Sequence, residues 1–476
     1  MNGPSSTMAP EHKNSPNDTA LEPASDNSSG SSGYIEDTIV ALATPPGRGG
    51  VAIVRLSGNR ALELAQKICA AKLAKQPRHS FLTRIISPED KEAIDQALVT
   101  YFQQPASFTG EDMVEFSTHG GVITPSRVIR LLLKLGARQA LPGEFTQRAF
   151  INGKLDLAEA EALNEIISSL SRRSQQVAFQ NLEGHLSREI ASIRTNLLSL
   201  LAILEHELDF NEAEIDYLTR NEISGQLKEI LERLHRLQET APYGRMIREG
   251  VRVVITGEPN AGKSSIFNAL AGQERALVTQ IPGTTRDSLE AWLDISGFPV
   301  CLVDTAGLRS SEDALEQLSI AKSRQQLESA DLVLLLDPID PVSKGSELEI
   351  DTKKTVIYVK SKVDQLATGD ELNGQVTTSV MREDGLDGLT TALQAALQDL
   401  IPDQSSIVVT SARQAEGLRK AVAQLEGVRQ LVKSGQGMDI ISAEVRYAAE
   451  ELAAIIGETS NEDVFEAIFR DFCVGK

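Results

Sequence analysis

Residues 251 to 270 read VRVVITGEPNAGKSSIFNAL, and Gly257 to Ser264 carry the spacing G-x-x-x-x-G-K-[ST]. The run before it is apolar and β-rich and the run after it is amphipathic, so the loop sits between a strand and a helix, as a phosphate cradle requires. In that setting the backbone N–H groups around Asn260, Ala261 and Gly262 and the helix N-terminus bearing Ser265 face an anion. Lys263 reaches the β- and γ-phosphates and acts on the reacting centre, and the Ser264 hydroxyl is an Mg²⁺ ligand.

Three further stretches narrow the nucleotide. DTAG comprises Asp304, Thr305, Ala306 and Gly307 after the apolar run PVCLV. It places Asp304 to support Mg²⁺ and the Gly307 N–H to sense the γ-phosphate. GTTRD, Gly283 to Asp287, lies between the two in a polar loop and offers Thr285 as a second Mg²⁺ ligand. VIYVKSKVD ends a strand with Ser361, Lys362, Val363 and Asp364. The Asp364 carboxylate accepts from guanine N1–H and its 2-amino group together, a pairing adenine does not offer. Position 361 is serine where an asparagine or threonine is usual, which predicts weaker affinity with base choice retained. Ser379, followed by Val380, is the candidate cap on the base. Leu308 follows DTAG directly and has no group to orient a water.

At 476 residues the chain is too long for a single core. The balance of 47 basic against 67 acidic residues, net −20, argues against a general nucleic-acid surface. Any such contact must be local or shared with a partner. No apolar run approaches the roughly 18 residues of a membrane span. Cys69, Cys301 and Cys473 are too few and scattered for a disulfide framework, which points to a reducing, cytoplasmic setting. Residues 1–35 are rich in Ser, Asn, Pro and Gly and read as a disordered tail without a secretory or transit signal. An α+β unit is expected over 36–153. From 154 to 249 the period becomes helical, with Leu163, Ile166, Ile167 and Leu170, then Leu186, Ile190, Ile193, Leu197, Leu200 and Leu204, on apolar stripes. Strand and helix alternate over 250–400, and helix returns over 401–476. The expected architecture is multidomain: α+β, then all-α, with a Ras-like P-loop α/β G domain inserted into the helical one.

Several separate motifs then carry a family resemblance from about residue 36 onward: DTIVALATPPGRGGVAIVRLSG, SFTGEDMVEF with HGG close behind, PGEFTQRAFINGKLDLAEAEA, GEPNAGKSS, GTTRD, DTAGLR and the terminal FCVGK. The chain resembles the MnmE (TrmE) family of tRNA-modification GTPases. The resemblance implies a K⁺-stimulated GTPase working with an FAD- and NADH-using MnmG-type partner. Together they would add an aminomethyl or carboxymethylaminomethyl group to C5 of the wobble uridine of certain tRNAs, with a tetrahydrofolate one-carbon unit. It implies a homodimer through a folate-binding N-terminal domain and G domains that pair when GTP and K⁺ are bound. The nucleotide contacts would extend over Thr279, Gln280, Ile281, Pro282, Gly283, Thr284 and Thr285. Asn260, Thr279, Ile281 and Thr284 match the K⁺ site, and Glu316 matches the catalytic glutamate that replaces the missing glutamine.

Arg55, Glu115, Lys154 and Lys476 match the family's folate site, where a pterin meets a carboxylate and a glutamate tail meets cations. FCVGK would then fold back onto the N-terminal domain and bring Cys473 near the one-carbon chemistry, or leave it a small buried hydrophobe. A lipid-anchor reading of the last four of these residues, CVGK, fails on Gly475 and Lys476. His119, beside a Gly-Gly turn, reads as structural. The alternative function is a GTP-switched ribosome-assembly or scaffold factor. It shares the phosphate motifs but leaves PGEFTQRAF, FCVGK and the acidic balance without a role.

Overall fold

The computed structural model describes residues 37–73, 76–208, 217–273, 289–304, 324–347, 354–365, 376–400 and 407–459, with 465, 468–470, 472 and 474–475 near the end. The first sheet contains β1 (Ile39–Leu42), β2 (Val51–Ser57), β3 (Ser80–Ile86), β4 (Ala93–Phe102), β5 (Met113–His119) and β6 (Arg138–Gln139) in the order β3-β4-β5-β2-β1-β6. Helices α1 (Ala61–Ile68) and α2 (Ile123–Lys134) cover one face. The period-2 alternation of β2 and β5 turns Ala52, Val54, Leu56, Val114 and Phe116 toward those helices. Arg55 and Glu115 are thereby turned to the opposite face.

The short helix α3 (Glu144–Ile151) begins after Gly143, whose φ of 68° suits glycine. A side chain there would put its Cβ 2.6 Å from the Phe469 carbonyl oxygen. Four long helices follow: α4 (Leu157–Ser168), α5 (Arg172–Leu182), α6 (His185–Leu208) and α7 (Tyr217–Glu249). Local sequence sets two of their starts. Asp156 with Glu159, and Ser171 with Ser174, form reciprocal capping boxes.

The second sheet carries β7 (Val251–Gly257), β8 (Leu289–Ile295), β9 (Phe298–Asp304), β10 (Leu332–Asp337), β11 (Thr355–Lys360) and β12 (Val376–Thr377) in the order β12-β11-β10-β7-β9-β8. Only the β8–β9 pair is antiparallel. Every residue of β10, LVLLLD, is buried, as expected of a parallel strand covered on both faces. Helices α8 (Lys263–Gln273), α9 (Pro341–Glu347) and α10 (Asp387–Gln398) flank it. The carboxyl ends of β7, β9, β10 and β11 share one edge, where ligands of open α/β sheets sit.

Helices α11 (Ala412–Lys433) and α12 (Met438–Ile456) return to the first helices. One apolar core takes Leu186, Ile190, Ile193 and Leu197 from before the second sheet and Leu425, Val445 and Leu452 from after it. The outgoing and returning segments touch. A Cβ on Gly244 would lie 1.9 Å from the Val409 carbonyl oxygen, and the Val409 N–H donates to Thr240 Oγ1 at 3.1 Å.

The predicted stripe on α6 is fully buried. The one proposed for α4 is not. Ile167 is 40% exposed, Leu163 and Ile166 are half-buried, and Leu170 lies beyond the helix end. The buried face of α4 instead carries Leu157, Ala158, Ala160, Ala162 and Glu165, because small side chains let the helix approach its neighbours closely.

Candidate functional site

The loop after β7 is built for close backbone approach. Gly257 has φ 141° and a Cβ there would meet the Leu336 carbonyl oxygen at 2.1 Å. Asn260 and Gly262 both take positive φ, 64° and 91°, which curls the loop over the N-terminus of α8. Lys263, the first residue of α8, is buried and folds its ammonium back onto the carbonyl oxygens of Gly257 and Glu258, at 2.9 and 2.7 Å. Those two carbonyls hold the charge above the cradle where a phosphate chain would lie. Ser264 donates its hydroxyl to Asp304 at 2.7 Å, and Asp304 is fully buried at the end of β9. A hydroxyl and a carboxylate in contact form a hard oxygen-donor pair, which fits Mg²⁺.

The base-reading motif leaves β11 on the same edge. Lys362 adopts φ 55°, and its stem passes within 3.9 Å of where a Cβ on Gly262 would be, so it runs alongside the phosphate loop. Asp364 sits in the 3-10 turn Val363–Gln365 and accepts from Ser379 Oγ at 2.6 Å. That hydrogen bond is the main cause holding the Asp364 carboxyl below its usual range, so it is ionised and ready to accept. Ser379 also accepts from the Met381 N–H at 3.2 Å, which ties the β12 loop to the base site.

Ser361 is 1% exposed, and its N–H donates to the Asp337 carbonyl at 3.0 Å. Its hydroxyl has no hydrogen-bond partner among the described residues. The serine therefore fills the position without supplying the bonds a side-chain amide would. Ser361→Asn is expected to tighten GDP and GTP by roughly 0.5–1.5 kcal/mol, the net worth of one hydrogen bond. Equilibrium titration of both nucleotides checks this, and unchanged affinities would sink the assignment.

Thr279, Gln280, Ile281, Pro282, Gly283, Thr284, Thr285, Thr305, Ala306, Gly307, Glu316, Cys473 and Lys476 lie outside the described residues, as does the 1–35 stretch. Of the expected nucleotide contacts, the described ones (Asn260 to Ser265, Asp304, Ser361 to Asp364 and Ser379) lie at the carboxyl edge of the second sheet or in the loops that leave it.

On the outer face of the first sheet, Arg55 pairs with Glu115, Nε to Oε1 at 2.9 Å and Nη2 to Oε1 at 2.8 Å. The guanidinium also lies over the Phe108 and Phe145 rings, at 5.3 and 5.6 Å. The pair opens onto a cavity of about 400 Å³. Phe102, Phe108, Met113 and Leu163 supply apolar wall and Arg78 a second cation. Leu163 belongs to the half-exposed stripe of α4, so the cavity accounts for part of that stripe. Lys154 is not in the cavity wall; its ammonium rests on the Pro105 carbonyl at 3.2 Å. Sequence reasoning missed Arg78. It precedes its strand, and nothing local marks it.

The C-terminal segment reaches the same domain. Val474 bridges Pro142, and a Cβ on Gly475 would lie 2.1 Å from the Leu42 carbonyl oxygen. His119 accepts or donates at Nδ1 with Asp95, 2.7 Å away, while its ring is 75% exposed. The Asp95 carboxylate accounts for its orientation.

Fold and site together define a P-loop GTPase: a parallel sheet, a lysine-bearing cradle at its edge and a carboxylate placed for a guanine. Residues 157–473 match the model of the MnmE helical domain, and residues 38–154 that of the GTP-binding protein TrmE N-terminus. The tRNA modification GTPase MnmE of Lactobacillus acidophilus is 38% identical, over 92% of this chain and 98% of that protein. The one of Moorella thermoacetica is 39% identical, over 93% and 100%. The chain belongs to the MnmE (TrmE) family. Among solved structures, the G domain of the T. maritima FeoB iron transporter is 28% identical and covers 32% of this chain and 98% of that one. Its TM-score is 0.24, too low to carry an argument.

Proposed function

We propose that this chain is a K⁺-stimulated, Mg²⁺-dependent GTPase of tRNA modification. With an FAD-dependent MnmG-type partner it would add an aminomethyl or carboxymethylaminomethyl group to C5 of the wobble uridine, using a tetrahydrofolate one-carbon unit. FAD belongs to the partner and not to this chain. The observation that carries the reading is the coexistence of two built sites: the Lys263–Ser264–Asp304 cradle with Asp364, and the Arg55–Glu115 cavity on a separate sheet. A GTP-gated assembly factor needs only the first.

In this reading Lys263 leaves the Gly257 and Glu258 carbonyls for the phosphates, and Asp364 selects guanine. Ser264 with Thr285 would hold Mg²⁺, with Asp304 behind them, and the ion would neutralise phosphate charge. Asn260 with Thr279, Ile281 and Thr284 would hold K⁺ and supply positive charge at the β–γ bridge. Glu316 would orient the attacking water. Glu115 and Arg55 would take the folate's ring, with Lys154 and Lys476 as further contacts and Cys473 close to the one-carbon unit. The division into a folate-binding unit (36–153), a helical unit (154–249 and 401–476) and a G domain (250–400) belongs to the same proposal.

So does the homodimer through the first sheet. Its outer face exposes Leu82 (63%) opposite Leu98 (47%), an apolar pair for a second copy to cover. A cytoplasmic setting agrees with the absence, among the described residues, of any helix long and apolar enough to cross a membrane.

Steady-state GTP hydrolysis in KCl against matched NaCl tests the GTPase half. Stimulation of about tenfold or more by K⁺, lost in Glu316→Ala, is the expected outcome, since charge placed at the β–γ bridge acts mainly on the transition state. Equal slow rates in both salts would mean that Asn260 and its loop build no cation site.

A further inference from the structure

We propose that Arg78 is the specificity-determining cation of the N-terminal cavity, the residue that takes the carboxylate tail of a tetrahydrofolate-class ligand whose ring lies against Glu115. The inference rests on the folate reading above and deepens it.

The position follows from the register of the first sheet. Ser80 stands opposite Thr100, Thr100 opposite Glu115, and Glu115 opposite Arg55, so these four form one row across β3, β4, β5 and β2. Arg78 precedes that row, its N–H donating to the Tyr101 carbonyl at 2.7 Å. At about 4.8 Å per strand across the sheet and about 3.3 Å per residue along a strand, the backbones of Arg78 and the Glu115–Arg55 pair are roughly 12 to 16 Å apart. Apolar side chains line the cavity that both ends share. That layout suits a molecule with a hydrogen-bonding heterocycle at one end, an aromatic linker and an acid at the other.

Charge separates the two ends. Arg55 is already engaged by Glu115 and stacked on two rings, so an incoming carboxylate finds it neutralised. Arg78 makes only neutral bonds among the described residues. Its Nε and Nη2 donate to the Ala106 carbonyl at 3.3 and 2.9 Å. Lys154, the cation expected from the motif, is drawn onto Pro105 and is absent from the cavity wall. Arg78 also holds φ 60°, a left-handed conformation uncommon for arginine, and strained backbone of this kind clusters where a side chain must be aimed.

The test is equilibrium titration of the full chain with 5-formyltetrahydrofolate and with the same reduced ring system lacking the glutamate. It is run on the wild type, Arg78→Gln and Arg78→Lys, with thermal melts to verify folding. The wild type should prefer the intact ligand by about tenfold, as a partly exposed charged hydrogen bond allows. Arg78→Gln should lose the preference while binding the tail-less compound as the wild type does, and Arg78→Lys should keep part of it. Equal weakening of both ligands in Arg78→Gln would overturn the proposal and reduce Arg78 to a tether for Ala106. An undiminished preference would overturn it too, assigning the tail to another cation. Binding of neither compound by the wild type would remove the folate reading itself, a result distinct from the other two.

Discussion

Asp364→Asn is expected to weaken GTP binding by about 10²- to 10⁴-fold and to create affinity for xanthosine triphosphate. The ionised carboxylate accepts two hydrogen bonds from guanine, each worth roughly 1.5–3 kcal/mol when one partner is charged. Together they set the lost affinity at about 3–6 kcal/mol. The asparagine turns a donor toward the 2-amino group, which is itself a donor, and the two repel. Xanthine carries a carbonyl at that position and restores the pairing. The Ser379 hydroxyl, 2.6 Å from Asp364, still finds an oxygen to donate to in the variant, so the loop keeps its shape. Competition binding with GTP and xanthosine triphosphate checks the prediction. A variant that holds GTP within threefold of the wild type would show that Asp364 does not read the base.

The second large effect is on stability and comes from Glu165. This glutamate is buried on α4 where the helices hand the chain to the second sheet, and one of its oxygens, Oε1, has no hydrogen-bond partner among the described residues. Arg248 of α7 stands 3.8 Å from that oxygen, Thr410 of the returning segment bonds the carboxyl, and Glu161 of the same helix adds like charge. Desolvation dominates and pushes the carboxyl up to about 7 from 4.5. Below pH 4.5 the group is protonated in both the folded and unfolded chain and contributes no difference. Between 4.5 and about 7 the folded chain keeps a proton that the unfolded chain has released, so stability falls as pH rises. Above about 7 the loss is complete, roughly 3 kcal/mol. Glu165→Gln should therefore match the wild type near pH 4.5 and melt at a higher temperature near pH 8. Thermal unfolding of both proteins at the two pH values decides it. A wild type as stable as the variant at pH 8 would mean that Arg248 closes on the carboxylate and compensates its burial.

Some of this was legible in the chain and some was not. The phosphate loop could be read because its function is a local backbone property: glycines for positive φ, an apolar run before and a helix after, all within residues 251–273. The stripe of α6 could be read because a long helix between neighbours buries one continuous face. The stripe of α4 misled, since period alone does not distinguish a face that packs on helices from one that lines a cavity. The orphan hydroxyl of Ser361 was foreshadowed by the residue type and given its meaning by burial.

The sequence by itself determined the order of strands and helices, the phosphate cradle and the choice of guanine, because each depends on residues close together in the chain. Only the tertiary structure decided which groups share the N-terminal cavity, that Arg78 and not Lys154 lines it, that the terminal Val474 pairs with Pro142, and that Glu165 lies buried where the chain enters and leaves the second sheet. Those relations join residues tens to hundreds of positions apart. They are set by strand register and helix packing, which no local period encodes.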